Sequence, residues 1–535
     1  MLISLLITVV FGAVYFYIKC PALNVQTAEF YTFVYLLCIV YCGCNLFVTG
    51  FRANAPKEYF KHLLKKCTVP VVIVVVFGVI SVIGGLAGNV IFRAKSYAGL
   101  LDIKQGDFAA EVEEVSWNQI PMLDGDSANT LANKKMGELS DLVSQFEVDG
   151  RSAQINYNDR PVRATYLNYG GIIKWWNNRS EGIPAYLLID MVTQEVTVQR
   201  LEDGMKYSPS EPLNRNIYRY LRFRYPTKMF YDVNFEVDEE GVPYWCATTV
   251  KKTIGLFGGT DVTGAVLVNA VTGECKYYDI QDVPTWVDRV CSASLIMEQY
   301  DYYGLYQGGF WNSVLGQSGC TKSTEGYNYI AMDDDVWVYT GVTSVGGDES
   351  NLGFILVNQR TKEARYYVCA GANERAGMNS AEGAVQQYSY KATFPILLNI
   401  GGEPTYFMAL KDASQLVKMY AMVNVSQYQI VATGTTVEEC QENYAEQMIK
   451  NGLTEEVPEP ETEKAEITGR VAEIRSSVMD GDTYYFIRLQ DEAVYYMING
   501  REYPIATILN VEDRVTISYE NGEGELLAGI SIERK

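Results

Sequence analysis

Histidine is all but missing from these 535 residues: the single copy is His62, ahead of the longest apolar run. The four hundred and more residues that follow that run contain none. Any design that needs an imidazole there is excluded for this chain alone, whether Ser-His-Asp hydrolysis, Cys-His transfer or histidine-ligated zinc. Basic residues are also scarce, 44 Lys and Arg against 65 Asp and Glu, a net charge of −21. So acidic a chain repels phosphate backbones, which makes nucleic acid and anionic lipid surfaces poor partners. Basic proteins, cationic peptides and divalent ions suit it better, as does plain solvation.

The eleven cysteines lack the spacing of a disulfide framework. Five (Cys20, Cys38, Cys42, Cys44, Cys67) lie in or beside apolar runs, and six (Cys246, Cys275, Cys291, Cys320, Cys369, Cys440) are scattered. A chain this long buries a core without staples, so at most one or two bridges are expected. Cys38, Cys42 and Cys44 have the donors for a soft metal or a lipid, with packing in the span as the alternative.

Charge is absent altogether from Thr68 to Phe92, a run of twenty-five residues. That exceeds the roughly twenty residues a helix needs to cross a bilayer core of about 30 Å. Two uncharged runs precede it, Met1–Tyr17 and Phe30–Gly50; the first lacks the basic start and cleavage site of a secretory signal and is read as a retained helix. The loop Phe51–Cys67 carries Arg52, Lys57, Lys61, Lys65 and Lys66 against Glu58 alone. Positive loops stay in the cytoplasm, which places the amino terminus inside and everything after Phe92 outside. Gly84 and Gly88 in the third run have the small-xxx-small spacing that lets helices approach closely, within the chain or between copies.

The remainder divides at the acidic, proline-bearing stretch TEEVPEPETEKAE. The expected architecture is a three-helix anchor over 1–93, an α+β region over 94–453, a linker over 454–466, and a small all-β barrel over 467–535. In the α+β region one phrase recurs: LLIDMVTQEVTV, VLVNAVTGECKYY and ILVNQRTKEARYY align Asp190, Asn269 and Asn358, and with them Thr193, Thr272 and Thr361. AMVNVSQYQIVATG is a fourth, shorter copy. Each reads as a β-hairpin with a polar turn, and helical segments lie between the copies, so tandem helix/hairpin units are expected.

The phrase VNAVTGECKYYDI, through Asn269, Thr272, Gly273 and Glu274, resembles the central hairpin of PepSY-type extracytoplasmic modules. The likeness weakens at Gln194 and Lys362, where the turn glycine is absent. It implies binding or inhibition of a partner protein and brings no catalytic residue. Five strand-like runs after Ile467 resemble an OB-fold barrel; its acid excess, 13 against 7 basic residues from Glu466 on, argues against an oligonucleotide site.

Two acid triplets, Asp238-Glu239-Glu240 and Asp333-Asp334-Asp335, are the candidates for paired-carboxylate or calcium chemistry, with turn formation as the plainer reading. Trp175, Trp176, Phe310 and Trp311 are candidate partner or ligand contacts, with core packing as the alternative. The glycines of IGLFGGT lack phosphate-cradling spacing. No catalytic residue, cofactor or metal site is expected. The pattern as a whole implies a membrane-anchored extracytoplasmic binding or scaffold component of the cell envelope, whose partners are the bilayer and another envelope protein or itself. An envelope-polysaccharide enzyme using paired acids and a channel or transporter subunit are the alternatives. In the linker, repelling glutamates and two prolines leave the backbone open, so limited proteolysis should cut first between 454 and 466 and release a folded fragment of 467–535. Loss of cooperative melting in that fragment would place the barrel within the larger core.

Overall fold

The computed structural model describes residues 2–50, 56–114, 120–158, 160–332, 335–346, 350–454, 464–479, 482–490, 492, 494–501, 503–520 and 526–535. The acid pair Asp333-Asp334 and linker residues 455–463 lie outside these. The chain forms two compact units, Met1–Glu455 and Glu456–Lys535.

The larger unit begins with helices α1 (Leu2–Lys19), α2 (Ala28–Gly50) and α3 (Pro56–Ala87). Three stretches, Leu2–Lys19, Ala28–Phe47 and Lys65–Ala87, are long and apolar enough to cross a membrane. Aromatic contacts join them: Tyr15 stacks on Phe33 at 5.6 Å, and Tyr31 meets Phe77 edge-on at 5.7 Å.

The third span ends earlier than its composition indicates. It stops at Ala87, five residues short of Phe92, and a separate helix α4 (Val90–Ala98) follows. Asn89 caps α4 by accepting from the Ile91 N–H at 2.9 Å, and the Tyr97 hydroxyl donates to the Gly88 carbonyl at 2.7 Å. The apolar letters of Val90–Phe92 thus belong to another helix. The absence of charge does not register the break, because an Asn cap is polar yet uncharged.

Gly84 and Gly88 meet a hairpin loop of the same chain. Strands Pro243–Ile254 and Gly258–Asn269 turn through Gly255-Leu256-Phe257. A Cβ on Gly84 would lie 2.6 Å from Leu256, and one on Gly88 would lie 2.7 Å from the Ile254 carbonyl oxygen. Gly255, at φ +62°, approaches the Gly88 backbone so closely that its own Cβ would sit 2.5 Å from the Gly88 nitrogen. Phe257 completes the contact edge-on to Tyr31 at 5.6 Å. Further ties reinforce the joint: Gln26 exchanges hydrogen bonds with the Lys252 backbone at 2.9 and 3.1 Å, and Arg222 donates to the Cys20 carbonyl at 3.0 Å.

Beyond α4 the unit is β-rich, with four sheets of four to six strands. Each contains one copy of the repeated phrase as an antiparallel hairpin: Ile183–Asp190 with Val196–Met205, Gly258–Asn269 with Cys275–Asp279, Ser350–Asn358 with Ala364–Ala372, and Val417–Asn424 with Val431–Gly434. The recurring letters are turn chemistry. Asp190, Asn269 and Asn358 each accept two backbone N–H bonds at 2.8–3.0 Å, and Thr193, Thr272 and Thr361 each accept one more from residue i+2. The next position is left-handed in all three: Gly273 at +77°, Gln194 at +62° and Lys362 at +67°. Two non-glycine residues therefore hold the conformation that glycine adopts freely, because side-chain caps on both sides of the turn determine it.

Helices Gly125–Gly137, Ile217–Arg224, Ala293–Tyr306, Glu374–Ala384 and Val437–Lys450 intervene between or flank the sheets. All eleven cysteines are free thiols.

The smaller unit is a closed five-stranded barrel. Its strands Lys464–Met479, Asp482–Leu489, Tyr495–Asn499, Leu526–Arg534 and Arg514–Glu520 neighbour one another in that order, and the first closes on the last. The short 3₁₀ turn Pro504–Ile508 bridges the third and the next strand in sequence, and Val471, Ile487, Ile498, Val515 and Ile517 fill the interior.

Leucine at position 88 would be forced into the Ile254 carbonyl. Gly88→Leu should therefore destabilise the whole larger unit by about 1–3 kcal/mol, the usual effect of overpacking a tight contact. Thermal unfolding of the detergent-solubilised chain, followed by tryptophan fluorescence, checks this; an unshifted transition would show that the joint contributes nothing.

Candidate functional site

The aromatic residues singled out from sequence do not converge. Trp175 is buried, and its indole N–H donates to the buried Glu211 carboxylate at 2.7 Å. Trp176 is exposed beside it, with the Arg179 guanidinium 3.6 Å from its ring centre. Phe310 and Trp311 meet each other edge-on at 5.5 Å elsewhere, beside the exposed Val314 and Leu315.

Of the two acid triplets, Asp238 and Asp335 serve local structure. Asp238 accepts from the Val242 N–H at 2.7 Å and shapes the turn through Gly241 at φ +81°, while Glu239 and Glu240 are exposed. Asp335 receives both arms of Arg360, at 2.6 and 2.7 Å, and the Asn358 amide at 2.7 Å. No group of three or more His, Cys, Asp or Glu placed to hold a metal occurs among the described residues.

Another place in the β-rich region gathers chemistry that sequence reading missed. It starts on strands Ala153–Tyr157 and Arg160–Tyr169, which pair antiparallel. Ile155 faces Val162 across the pair, and both sit in the apolar core. One register step away Gln154 faces Arg163, so these two side chains stand on the opposite face. In most sheets that face meets water. Here it is covered: strand Met229–Val237, the loop carrying Arg289, the segment Tyr327–Tyr329 and residues Phe407–Ala409 close around it.

Two cavities result, of about 220 and 340 Å³, and Arg163 lines both. Gln154, Tyr329, Phe394 and Phe407 border the smaller, whereas Arg151, Asp232 and Arg289 border the larger. The smaller cavity is amphipathic, with amide and guanidinium groups at one side and Met122, Ile396 and the phenylalanine rings at the other.

Buried polar groups normally find partners. Three that belong to this cleft have none: Gln154 Oε1, Arg163 Nε and Arg289 Nε. Gln154 is 2% exposed. Arg163 makes one long bond, from Nη1 to Ser152 Oγ at 3.4 Å, and the Arg289 guanidinium lies 5.6 Å from the Tyr329 ring centre. Burial, reinforced by the like charge of Arg289 and opposed by Tyr329, pulls Arg163 below its ordinary pKa.

Three acids near the cleft are engaged, while Asp126 and Asp232 line the larger cavity itself. Asp124 caps helix Gly125–Gly137 through the Ser127 N–H at 2.9 Å and pairs with the buried Lys411 at 2.6 Å. Asp149 pairs with Arg151 at 3.0 Å, and Asp288 accepts from the Asn156 N–H at 2.6 Å. Glu236, behind Arg289, is wholly buried, and neither of its oxygens accepts a well-formed hydrogen bond. Burial pushes its carboxyl up to about 8, against the pull of Arg289 and of the Arg289 and Asp288 backbone N–H groups. Burial works against the Arg289 guanidinium in turn, but Tyr329, Glu236 and Asp232 hold it above its ordinary pKa.

Guanidinium forks, an amide and aromatic walls in a half-closed space have the chemistry to bind and orient a ligand. The sequence offered no route to them, because Arg163 in PVRATY alternates like any residue on a wet face. Compared with protein-family models and with curated proteins, the chain matches none, so the site is read from its own geometry.

Glu236 also sets a pH dependence. Below its ordinary pKa of 4.5 the acid is protonated both folded and unfolded; from there to about 8 the folded chain holds a proton that the unfolded chain has released. Its contribution to stability is complete below 4.5 and is lost as the pH rises through 8. Glu236→Gln, which keeps the shape and removes the titration, should raise the melting temperature relative to wild type more at pH 8 than at pH 5. Equal shifts at both pH values would mean that the carboxyl is already ionised in the fold.

Proposed function

We propose that this chain is a membrane-anchored, extracytoplasmic binding or scaffold component of the cell envelope that acts through contacts with a partner protein. The observation that carries the proposal is the cleft around Gln154, Arg163 and Arg289, where three buried polar atoms without partners line amphipathic space. A fold that only had to be stable gains nothing from leaving them unpaired, whereas a binding surface uses them when the partner arrives.

The anchor supports the same reading. Three spans tie the β-rich region to a bilayer, and the basic loop after the second span favours the side opposite the cytoplasm for that region. The alternation of helices with capped hairpins agrees with PepSY-like units, whose members bind or inhibit proteins. The barrel's strand order and its inserted 3₁₀ turn agree with an OB-like module.

Two measurements test the proposal. A cysteine placed at Asp482 should react with a membrane-impermeant maleimide in intact cells above the wild-type background, and one at His62 should react only after permeabilisation. A photo-crosslinking residue at Ser152, beside Arg163, should capture one discrete protein species in native membranes, and Arg163→Gln should abolish that adduct. Labelling with the opposite sidedness would overturn the placement; an adduct indifferent to Arg163 would overturn the cleft as the contact site.

A further inference from the structure

Among the described residues, Arg163 and Arg289 are the arginines with a buried side-chain nitrogen that has no hydrogen-bond partner. Of the described arginines, Arg151, Arg160, Arg200, Arg360, Arg365, Arg375, Arg470, Arg475, Arg488 and Arg534 pair with a carboxylate within 4.0 Å, and others such as Arg219 and Arg222 are held by backbone carbonyls. Arg163 and Arg289 share one cleft, and neither makes an ion pair with a described residue. Burial and the like charge of Arg289 weigh against Arg163, whereas at Arg289 burial is outweighed by Tyr329, Glu236 and Asp232, which hold it above its ordinary pKa. An anion seated between them offsets the burial of Arg163 and gives both unpartnered Nε–H groups an acceptor.

The shape of the cleft narrows the choice of anion. A guanidinium presents two parallel N–H donors, which match the two oxygens of a planar carboxylate. Asp126 and Asp232 line the same cavity, so a singly charged group meets less repulsion there than a phosphate, whose second charge faces them. The unpartnered Gln154 amide oxygen, in register with Arg163 across the strand pair, accepts from an N–H or O–H of the ligand and not from its carboxylate. The adjoining cavity of about 220 Å³ then offers Met122, Phe394, Ile396 and Phe407 to whatever the carboxylate is attached to.

We infer that the Arg163–Arg289 cleft is a binding site for a carboxylate carried on an apolar group, the carboxylate between the two guanidiniums and the apolar group among Met122, Phe394, Ile396 and Phe407. This rests on the reading of the cleft as the contact site and names the chemistry it recognises. Two sources present that chemistry: the carboxy-terminal end of a peptide with an apolar last residue, and a free aliphatic acid.

The test uses the full chain in detergent and calorimetric titration with five probes: a short acetylated peptide ending in leucine, the same peptide as its terminal amide, hexanoate, acetate and inorganic phosphate. The peptide acid should bind at least tenfold more tightly than its amide, and hexanoate at least tenfold more tightly than acetate. Peptide acid above hexanoate identifies a chain end as the source, and the reverse order a free acid. Arg163→Gln and Arg289→Gln should each lose tenfold or more for the acids while melting cooperatively. Arg163→Lys, which keeps the charge and loses the fork, should fall between wild type and Gln and guards against a Gln variant that fails to fold. Equal binding of acid and amide, tighter binding of phosphate than of the acids, or wild-type affinity in Arg163→Lys would each overturn the inference. If these fail while the Ser152 adduct still depends on Arg163, the carboxylate chemistry is wrong and the contact site stands; if the adduct is also indifferent, both fall.

Discussion

The contact between the end of the third span and the loop Gly255-Leu256-Phe257 is the constraint on which the larger unit depends. Helix and hairpin meet through glycine on both sides, Gly84 and Gly88 against Gly255 and Gly258, so that backbones touch where side chains ordinarily separate them. The loop belongs to the longest hairpin of the second sheet, and Tyr97 ties the same point to α4. A flexible tether would leave the β-rich region free to turn on its anchor. This joint fixes it, and the membrane helices and sheets form one body rather than an anchor and a passenger.

The repeated hairpins show how little of a sequence repeat need be apolar packing. What recurs is the turn: an Asp or Asn taking two backbone N–H groups, a Thr taking a third, and a left-handed residue between them. With those bonds in place the register is settled, and Gln194 and Lys362 accept a conformation they would avoid in isolation. Lys362 is drawn in further by its bond to the Leu100 carbonyl at 2.8 Å and its pairing with Asp261 at 2.5 Å.

The cleft follows from the same construction. Sheets built from similar hairpins stack with their second faces partly enclosed, so a strand that reads as half-solvated becomes the floor of a cavity. Arg163 and Gln154 are ordinary letters on such a strand. Coverage by segments distant in the chain, bringing Arg289 and Tyr329, turns them into enclosed groups with unpartnered polar atoms.

What the amino-acid sequence determined by itself is the part governed by local physics. Uncharged runs announce spans because no charge enters hydrocarbon cheaply, and the Asn/Asp and Thr turns announce hairpins because their hydrogen bonds close within five residues. The five barrel strands were legible from alternation for the same reason. Only the tertiary structure decided where the third span stops, what Gly84 and Gly88 touch, and which arginines lack a partner. Each of these depends on a surface supplied by residues far along the chain, and a side chain's polarity says nothing of what will cover it. Arg360 and Arg163 illustrate the point: both are arginines beside β-branched or apolar neighbours, yet one is clasped by Asp335, whereas the other lines a cavity with Asp126 and Asp232 and makes an ion pair with no described acid, because a side chain's reach is settled only by what the fold sets beside it.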